Sequence, residues 1–229
     1  MSPVAALVVG AAIMVTPFIY MVSISFTPNS YVLTMPPQFI PENATLDNYA
    51  QALSVQDIPR YFLNSLIVAT ASTALSVLLS AMMAFAFARF SFPGREAIFR
   101  VLLIGHMIPA IVLVEPQFVL AKHVGVLNSF AGLIVFYVAR SLARNTFLLR
   151  GFFEALPGEL DQAMQVDGAS AWTRFWRLAL PMAKPGLATA TIFPFLGCWD
   201  EFAWALTIIN DPEFRTLPVA IRLLAGQGN

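Results

Sequence analysis

The sequence predicts an all-α, polytopic membrane helix bundle with five spans visible, and three observations carry that expectation. Hydrophobic residues make up 58% of the chain and charged ones 11%, with a mean hydropathy of +0.72, more than a soluble domain of this size carries. The apolar residues gather in stretches of about 20, the length a helix needs to cross the hydrocarbon layer with every backbone polar group satisfied internally. No charged residue occurs before Glu42. Lys plus Arg and Asp plus Glu stand at 13 each, so net charge argues for neither nucleic acid nor acidic ligands, and the position of the charges becomes the informative quantity.

The spans are expected at residues 4–26, 61–88, 101–121, 130–149 and 185–209 of a single transmembrane domain covering 1–229. The first has no basic residue ahead of it and is longer than the apolar core of a signal peptide, so it reads as a retained span. The second carries Ser72, Ser76, Ser80, Ala84 and Ala88, a small residue at every fourth position, which marks one helix face for close backbone approach. The third contains Glu115 within "IVLVEPQFVL". The fourth contains Arg140 and Arg144, which lie deep in the bilayer, snorkel inward, or mark a span placed too early. The fifth holds Cys198, the single cysteine, beside Trp199; it has no partner for an internal disulfide and reads as a small buried side chain.

Nine of the 13 basic residues (Arg89, Arg95, Arg100, Arg140, Arg144, Arg150, Arg174, Arg177 and Lys184) lie in or beside the even-numbered connections. The positive-inside rule makes that side cytoplasmic. The N-terminus is then inside, and residues 27–60, 122–129 and 210–229 are outside.

The stretch "GELDQAMQVDGASAWTRFWRLALP", residues 158–181, is the polar exception. Pro157 suits a first helical turn, Glu159 and Asp161 favour the positive end of a helix dipole, and Leu160, Ala163 and Met164 share one face. Asp167 and Gly168 break that helix, Gly168 being free to adopt positive φ, and Ser170 caps a second one. There Trp172, Phe175, Trp176 and Ala179 follow at i, i+3, i+4 and i+7, leaving Arg174 and Arg177 off the apolar stripe, until Pro181 and Pro185 punctuate the return to the membrane. The expectation is a helix-turn-helix at the cytoplasmic face, within a loop over about 151–182 that faces water and a protein.

"DQAMQVDGASAWTRFWRLALPMAKP" resembles the EAA loop of ABC importer permeases, with Gln162, Ala163 and Met164 at the three name-giving positions, then Asp167, Gly168 and Ala169, and the Leu180-Pro181 ending. Further pieces are similar to the same family: "FLLRGFFEALPGEL", "LDNYAQAL", "NSLIVAT", "ARFSFPGR", "GVLNS", and "WDEF" followed by "FRTLPVAI". They resemble the carbohydrate-uptake branch, in particular the smaller permease of maltose-type and glycerol-phosphate-type transporters. Of the name-giving residues only Ala163 matches the pattern, and Asp200 stands where Asn is usual. The family has six spans, whereas this sequence ends at Asn229 after "LPVAIRLLAG", too short a stretch and one carrying Arg222. The expectation is a permease cut short rather than a genuine five-span protein.

The resemblance implies a bacterial or archaeal cytoplasmic-membrane protein that is not an enzyme. Its partners would be a pair of cytoplasmic ATPase subunits, a second homologous permease subunit and an extracytoplasmic solute-binding protein. The chain has no Gly-x-x-x-x-Gly-Lys-Ser/Thr loop, so ATP and Mg would reside on the ATPases and this chain would bind no cofactor. The coupling residues would be Gln162, Ala163, Met164, Asp167, Gly168 and Ala169. A sugar path is expected from Trp199, Asp200, Glu201 and Trp204, with Glu115, because aromatic faces and carboxylates pair sugar rings and hydroxyls. Two other classes fit less well. An ion-coupled transporter would use Glu115, Asp200 and Glu201 but leaves the insert without a purpose. A hydrolase finds no second metal ligand near His106 and Glu115, which lie nine residues apart, and no Gly-x-Ser-x-Gly motif.

Overall fold

In a computed structural model, residues 3–28, 40–41, 43–55 and 57–227 are described, and every regular element among them is helical. Much of the expected outer segment 27–60, residues 29–39 above all, lies outside the described residues. Two compact units divide the chain, Met1–Pro59 and Arg60–Asn229.

In the first unit, α1 (Pro3–Ser25) covers the stretch expected as the first span, and α2 (Asp47–Val55) follows. The last carbonyls of a helix have no partner within it, and here a side chain supplies one. Asn48 donates from Nδ2 to the carbonyls of Ser25 (3.0 Å) and Thr27 (2.7 Å). Tyr49 adds a hydroxyl contact to Ser25 Oγ at 2.6 Å and packs on Phe26. The "LDNYAQAL" stretch is thus the local clamp on the end of α1.

The second unit is built on α3 (Ile58–Arg89) and α6 (Phe130–Glu154), both long and apolar enough to span. Ser72, Ser76, Ser80 and Ala84 of the α3 stripe are buried, and Ser80 Oγ reaches the Leu142 carbonyl of α6 at 3.4 Å. Small residues permit that approach, and van der Waals packing holds it where lipid gives no hydrophobic drive between helices.

The stretch 101–121, expected as one span, is broken. α4 (Arg95–His106) ends, a short 3₁₀ turn runs Ala110–Leu113, and α5 (Val114–Val124) leaves at 92° to α4. Pro109 is the cause: it lacks an N–H, its ψ of 130° is not helical, and proline pushes the preceding residue out of the helical region. Pro116 does no such damage, sitting in the first turn of α5.

The stretch 185–209 is also interrupted. α10 (Lys184–Trp199) stops, and α11 (Ala203–Ile208) starts afresh after a three-residue link. The Glu201 carboxylate accepts from the backbone N–H groups of Trp204 (2.9 Å) and Ala205 (3.1 Å), capping α11. The final helix, α12 (Leu217–Gln227), is tied to α3. The Leu217 N–H donates to Ser65 Oγ at 2.8 Å, and Asn64 Nδ2 donates to the carbonyls of Glu213 (2.9 Å) and Arg215 (2.8 Å).

Two clusters fill the interior. One gathers Val68, Leu133, Tyr137, Trp204, Ile208 and Val219. The other, at the insert end, gathers Phe85, Leu149, Phe153, Phe175 and Ala179. The "GVLNS" stretch closes the opposite end: Gly125 ends α5 at φ 78° and Ser129 caps α6 by accepting from Gly132 N–H. Between them Asn128, at φ 51°, accepts from the Asn210 and Asp211 amides. Gly132 has no room for a side chain, because a Cβ there would run into the Val126 carbonyl oxygen.

Candidate functional site: a polar insert and a cavity along α6

The insert folds as two helices around a glycine. α7 (Gly158–Val166) ends at Asp167 and Gly168, and Gly168 takes φ 78°. α8 (Ala171–Arg174) begins where Ser170 Oγ accepts from the Thr173 N–H at 3.2 Å. The turn region is open: Gln162, Ala163, Asp167 and Gly168 are exposed, Met164 and Ala169 half-buried. Val166 is 87% exposed, so an apolar side chain stands in solvent next to the turn.

Beyond α8 the expected regular helix gives way to a π segment, Phe175–Ala179, in which the Leu180 N–H bonds Phe175 O, five residues back. A three-residue turn, α9 (Leu180–Met182), then leads to α10. Pro181 has no N–H for the next rung, and such bulges accompany interrupted ladders. The expected stripe is consequently split. Phe175 and Ala179 are buried, whereas Trp172 and Trp176 are exposed and pack on each other edge to face at 5.5 Å.

Arg174 corrects a second expectation, that the insert's charges face water. Positions 174 and 175 are only about 100° apart around a helix, so burying Phe175 turns Arg174 inward too. Its Nη1 lies 2.6 Å from Asp161 Oδ2, with both side chains 8% exposed. Gln165 Nε2 donates to the same oxygen at 3.0 Å, and the guanidinium lies over the Phe90 ring. Asp161 and Arg174 therefore lock α7 to α8.

More charged contacts tie α3 and α4 to the end of α6. Arg89 Nη2 donates to the carbonyls of Phe153 (2.8 Å) and Leu156 (2.9 Å) at the end of α6. Arg150 forms two hydrogen bonds to Glu96 (2.8 and 3.2 Å), one to Glu154 (2.7 Å), and lies 4.3 Å from the centre of the Phe99 ring.

Further along α6 lies a cavity of about 870 Å³, walled by α4, α5, α6, α10 and α11. Its walls carry Gln117, Tyr137, Arg140, Arg144, Glu201 and Trp204 among apolar neighbours. Of the residues expected to form a sugar path, Glu201 and Trp204 are brought together here; Glu115, Trp199 and Asp200 are not among its lining residues. Glu115 is exposed on the first turn of α5, Asp200 is exposed after α10, and Trp199 is half-buried against Phe62 and Phe195. Glu201 is occupied as the α11 cap and as acceptor of the Tyr137 hydroxyl at 2.7 Å. Trp204 is 4% exposed, packed on Phe136 with its indole N–H toward the Gly132 carbonyl. Both line the cavity wall.

Arg140 and Arg144 are what the sequence reading left open. α6 starts at Phe130, and both arginines lie within this one helix and line the cavity. Their spacing of four residues, one helical face, was the available signal.

The chain has counterparts among known proteins. The family of binding-protein-dependent transport system inner membrane components matches residues 76–225. The chain is 37% identical over 209 residues to a diacetylchitobiose uptake system permease of Streptomyces coelicolor, covering 91% of this chain and 69% of that one. It is 33% identical over 220 residues to a trehalose transport system permease of Mycobacterium tuberculosis, covering 96% and 79%. The fold matches that of a bacterial ABC transporter involved in the import of alginate, with a TM-score of 0.83 at 22% identity over 97% of this chain and 78% of that one. With the family match covering well over half its length, the chain belongs to the binding-protein-dependent transport system inner membrane components, as a multi-pass permease subunit of an ABC importer and not an enzyme.

Proposed function

We propose that this subunit forms half of the translocation path for a sugar or sugar-derived solute, driven through its cytoplasmic insert by ATPase subunits. The observation that carries the coupling role is the insert itself: two helices locked by Asp161 and Arg174, with an exposed turn at Gly168. A rigid lever needs an internal brace and an exposed contact surface, and the insert has both. Gln162, Ala163, Met164, Asp167, Gly168 and Ala169 form that contact surface. Ala163 and Val166 offer an apolar knob, and Gln162 and Asp167 bond at its rim. ATP and Mg belong to the ATPase pair, and this chain binds no cofactor of its own.

The sugar assignment is supported by the relatives, permeases for diacetylchitobiose, trehalose and sulfoquinovosyl glycerol among them. A second permease completes the path and an extracytoplasmic binding protein delivers the solute. The charge bias puts the insert and the N-terminus in the cytoplasm. Rocking of packed helices on ATP-driven closure then exposes the cavity to either side in turn. The test is uptake of labelled saccharides by cells expressing the complete importer, with ATP depleted while a proton gradient is held. Uptake should stop. Uptake that continues would refute ATP coupling, and complete indifference to every saccharide would refute the sugar assignment.

A further inference from the structure

The cavity along α6 holds an uncompensated positive charge. At 1.5 Å per residue, Arg140 and Arg144 stand about 15 and 21 Å along α6 from Phe130, inside a helix long and apolar enough to cross a membrane. Both are exposed to the cavity and line it. Arg140 has one long hydrogen bond, 3.4 Å to the Gly197 carbonyl, and lies 5.8 Å from the Tyr137 ring centre. Arg144 lies 5.9 Å from the Phe193 ring centre. Among the described residues neither guanidinium has an ion pair.

The other ionisable wall groups are His106, Glu201 and Tyr137. Glu201 is the one carboxylate, and both its oxygens are taken, Oε1 by the Trp204 amide, Oε2 by the Tyr137 hydroxyl and the Ala205 amide. Intramembrane cations are costly and are found facing pathways or partners, and low-dielectric walls focus their field on whatever enters. A guanidinium fork also matches the oxygens of a carboxylate, sulfate or phosphate by paired hydrogen bonds.

We infer that the solute carried is an anionic saccharide, whose carboxylate, sulfonate, sulfate or phosphate group is held by Arg140 and Arg144 as it passes. This rests on the proposed sugar-importer function and narrows it. Neutral sugars would find aromatic rings and hydroxyl partners here, but no use for two unpaired cations.

The experiment offers whole cells a defined mixture of neutral oligosaccharides, oligouronates, sulfated and sulfonated sugars, and sugar phosphates. Mass spectrometry follows which disappear from the medium. A strain deleted for this subunit is complemented with wild type, Arg140→Gln/Arg144→Gln, or Arg140→Lys/Arg144→Lys, with membrane levels checked by immunoblot. The gene-dependent species should all be anionic, and the members of the mixture then say which anion. The Gln pair should slow their uptake roughly tenfold or more, whereas the Lys pair, keeping the charge, should recover most of it. If the gene-dependent species are neutral saccharides, the inference is overturned and the sugar-importer reading stands. If the Gln pair carries anions at the wild-type rate, it is overturned as well. If no saccharide depends on the gene, the broader reading fails with it.

Discussion

Breaking the bond between Asp161 and Arg174 should loosen the insert without disturbing the membrane helices. Arg174 Nη1 lies 2.6 Å from Asp161 Oδ2, and two unit charges roughly 4 Å apart in an effective dielectric of about 20 attract by about 4 kcal/mol. Burial of each ion costs several kcal/mol in return, so the intact pair is no great gain over a well-packed apolar one. Losing one partner is different, because the survivor stays buried and unpaired at a cost of about 3–5 kcal/mol. Asp161 Oδ1 and Arg174 Nε already lack partners, so the pair is imperfectly satisfied, and about 3 kcal/mol is expected for Asp161→Ala or Arg174→Met alone. Hydrogen exchange of peptides spanning residues 158–179 in the purified importer reports this directly. An opening free energy lowered by about 3 kcal/mol speeds exchange roughly 150-fold where exchange follows the opening equilibrium. The Asp161→Leu/Arg174→Met double variant should return to within about tenfold of wild type, because two apolar side chains replace the pair without stranding a charge. Additive damage in a matched double variant, or single variants that exchange like wild type, would refute the brace.

Further expectations follow from the same geometry. Gly168→Val meets open space but is forced to φ 78°, at about 1–2 kcal/mol; the protein should reach the membrane in normal amount while ATPase co-purification and uptake fall together, with Gly168→Asn milder. Gly132→Ala, whose Cβ would strike the Val126 carbonyl oxygen, should lower the melting temperature in detergent far more than Gly151→Ala, where nothing lies within 4 Å and helix propensity favours alanine by about 0.5–1 kcal/mol. Glu201→Ala removes three hydrogen bonds from a charged acceptor and should cost about 3 kcal/mol or more, seen as early thermal unfolding, with Glu201→Gln less affected. In a Cys198→Ala background, a cysteine at Gly168 should be labelled only from the cytoplasmic side and one at Asn43 only from outside.

Local grammar explains what could be read from the chain. The insert was legible because its signals are short-range: a proline entry, a glycine stop, a serine cap four residues before Arg174. The stripe of small residues in α3 was legible because its period matches one helical face. Other features needed partners far away in sequence. The hydrogen bond from Tyr137 to Glu201 joins residues 64 apart in sequence, so the part of Glu201 in capping α11 could not be read from the stretch around it. Arg174 looked solvated because Asp161 lies on another helix. The break near Pro109 was signalled by the proline itself, but an average over 20 residues of hydropathy hides a single missing N–H. Arg140 and Arg144 were visible as charges, yet what they face depends on α4, α10 and α11 arriving around α6.

The straps on α6 have a mechanical meaning. Phe153, near its end, and Phe175 of the insert both pack on Phe85, the terminal carbonyls of α6 are held by Arg89, and Arg150 grips Glu96 at the head of α4. The same unbroken rod carries Arg140 and Arg144 two to four turns away. On the proposed coupling role, α6 is the drive shaft, with its crank at one end and its cam halfway up. A twist of about 20° at the crank sweeps a side-chain tip, roughly 5–6 Å from the axis, through about 2 Å. That travel is comparable to the difference between a held and a released hydrogen bond, so one small rotation could reset the grip of both guanidiniums at once.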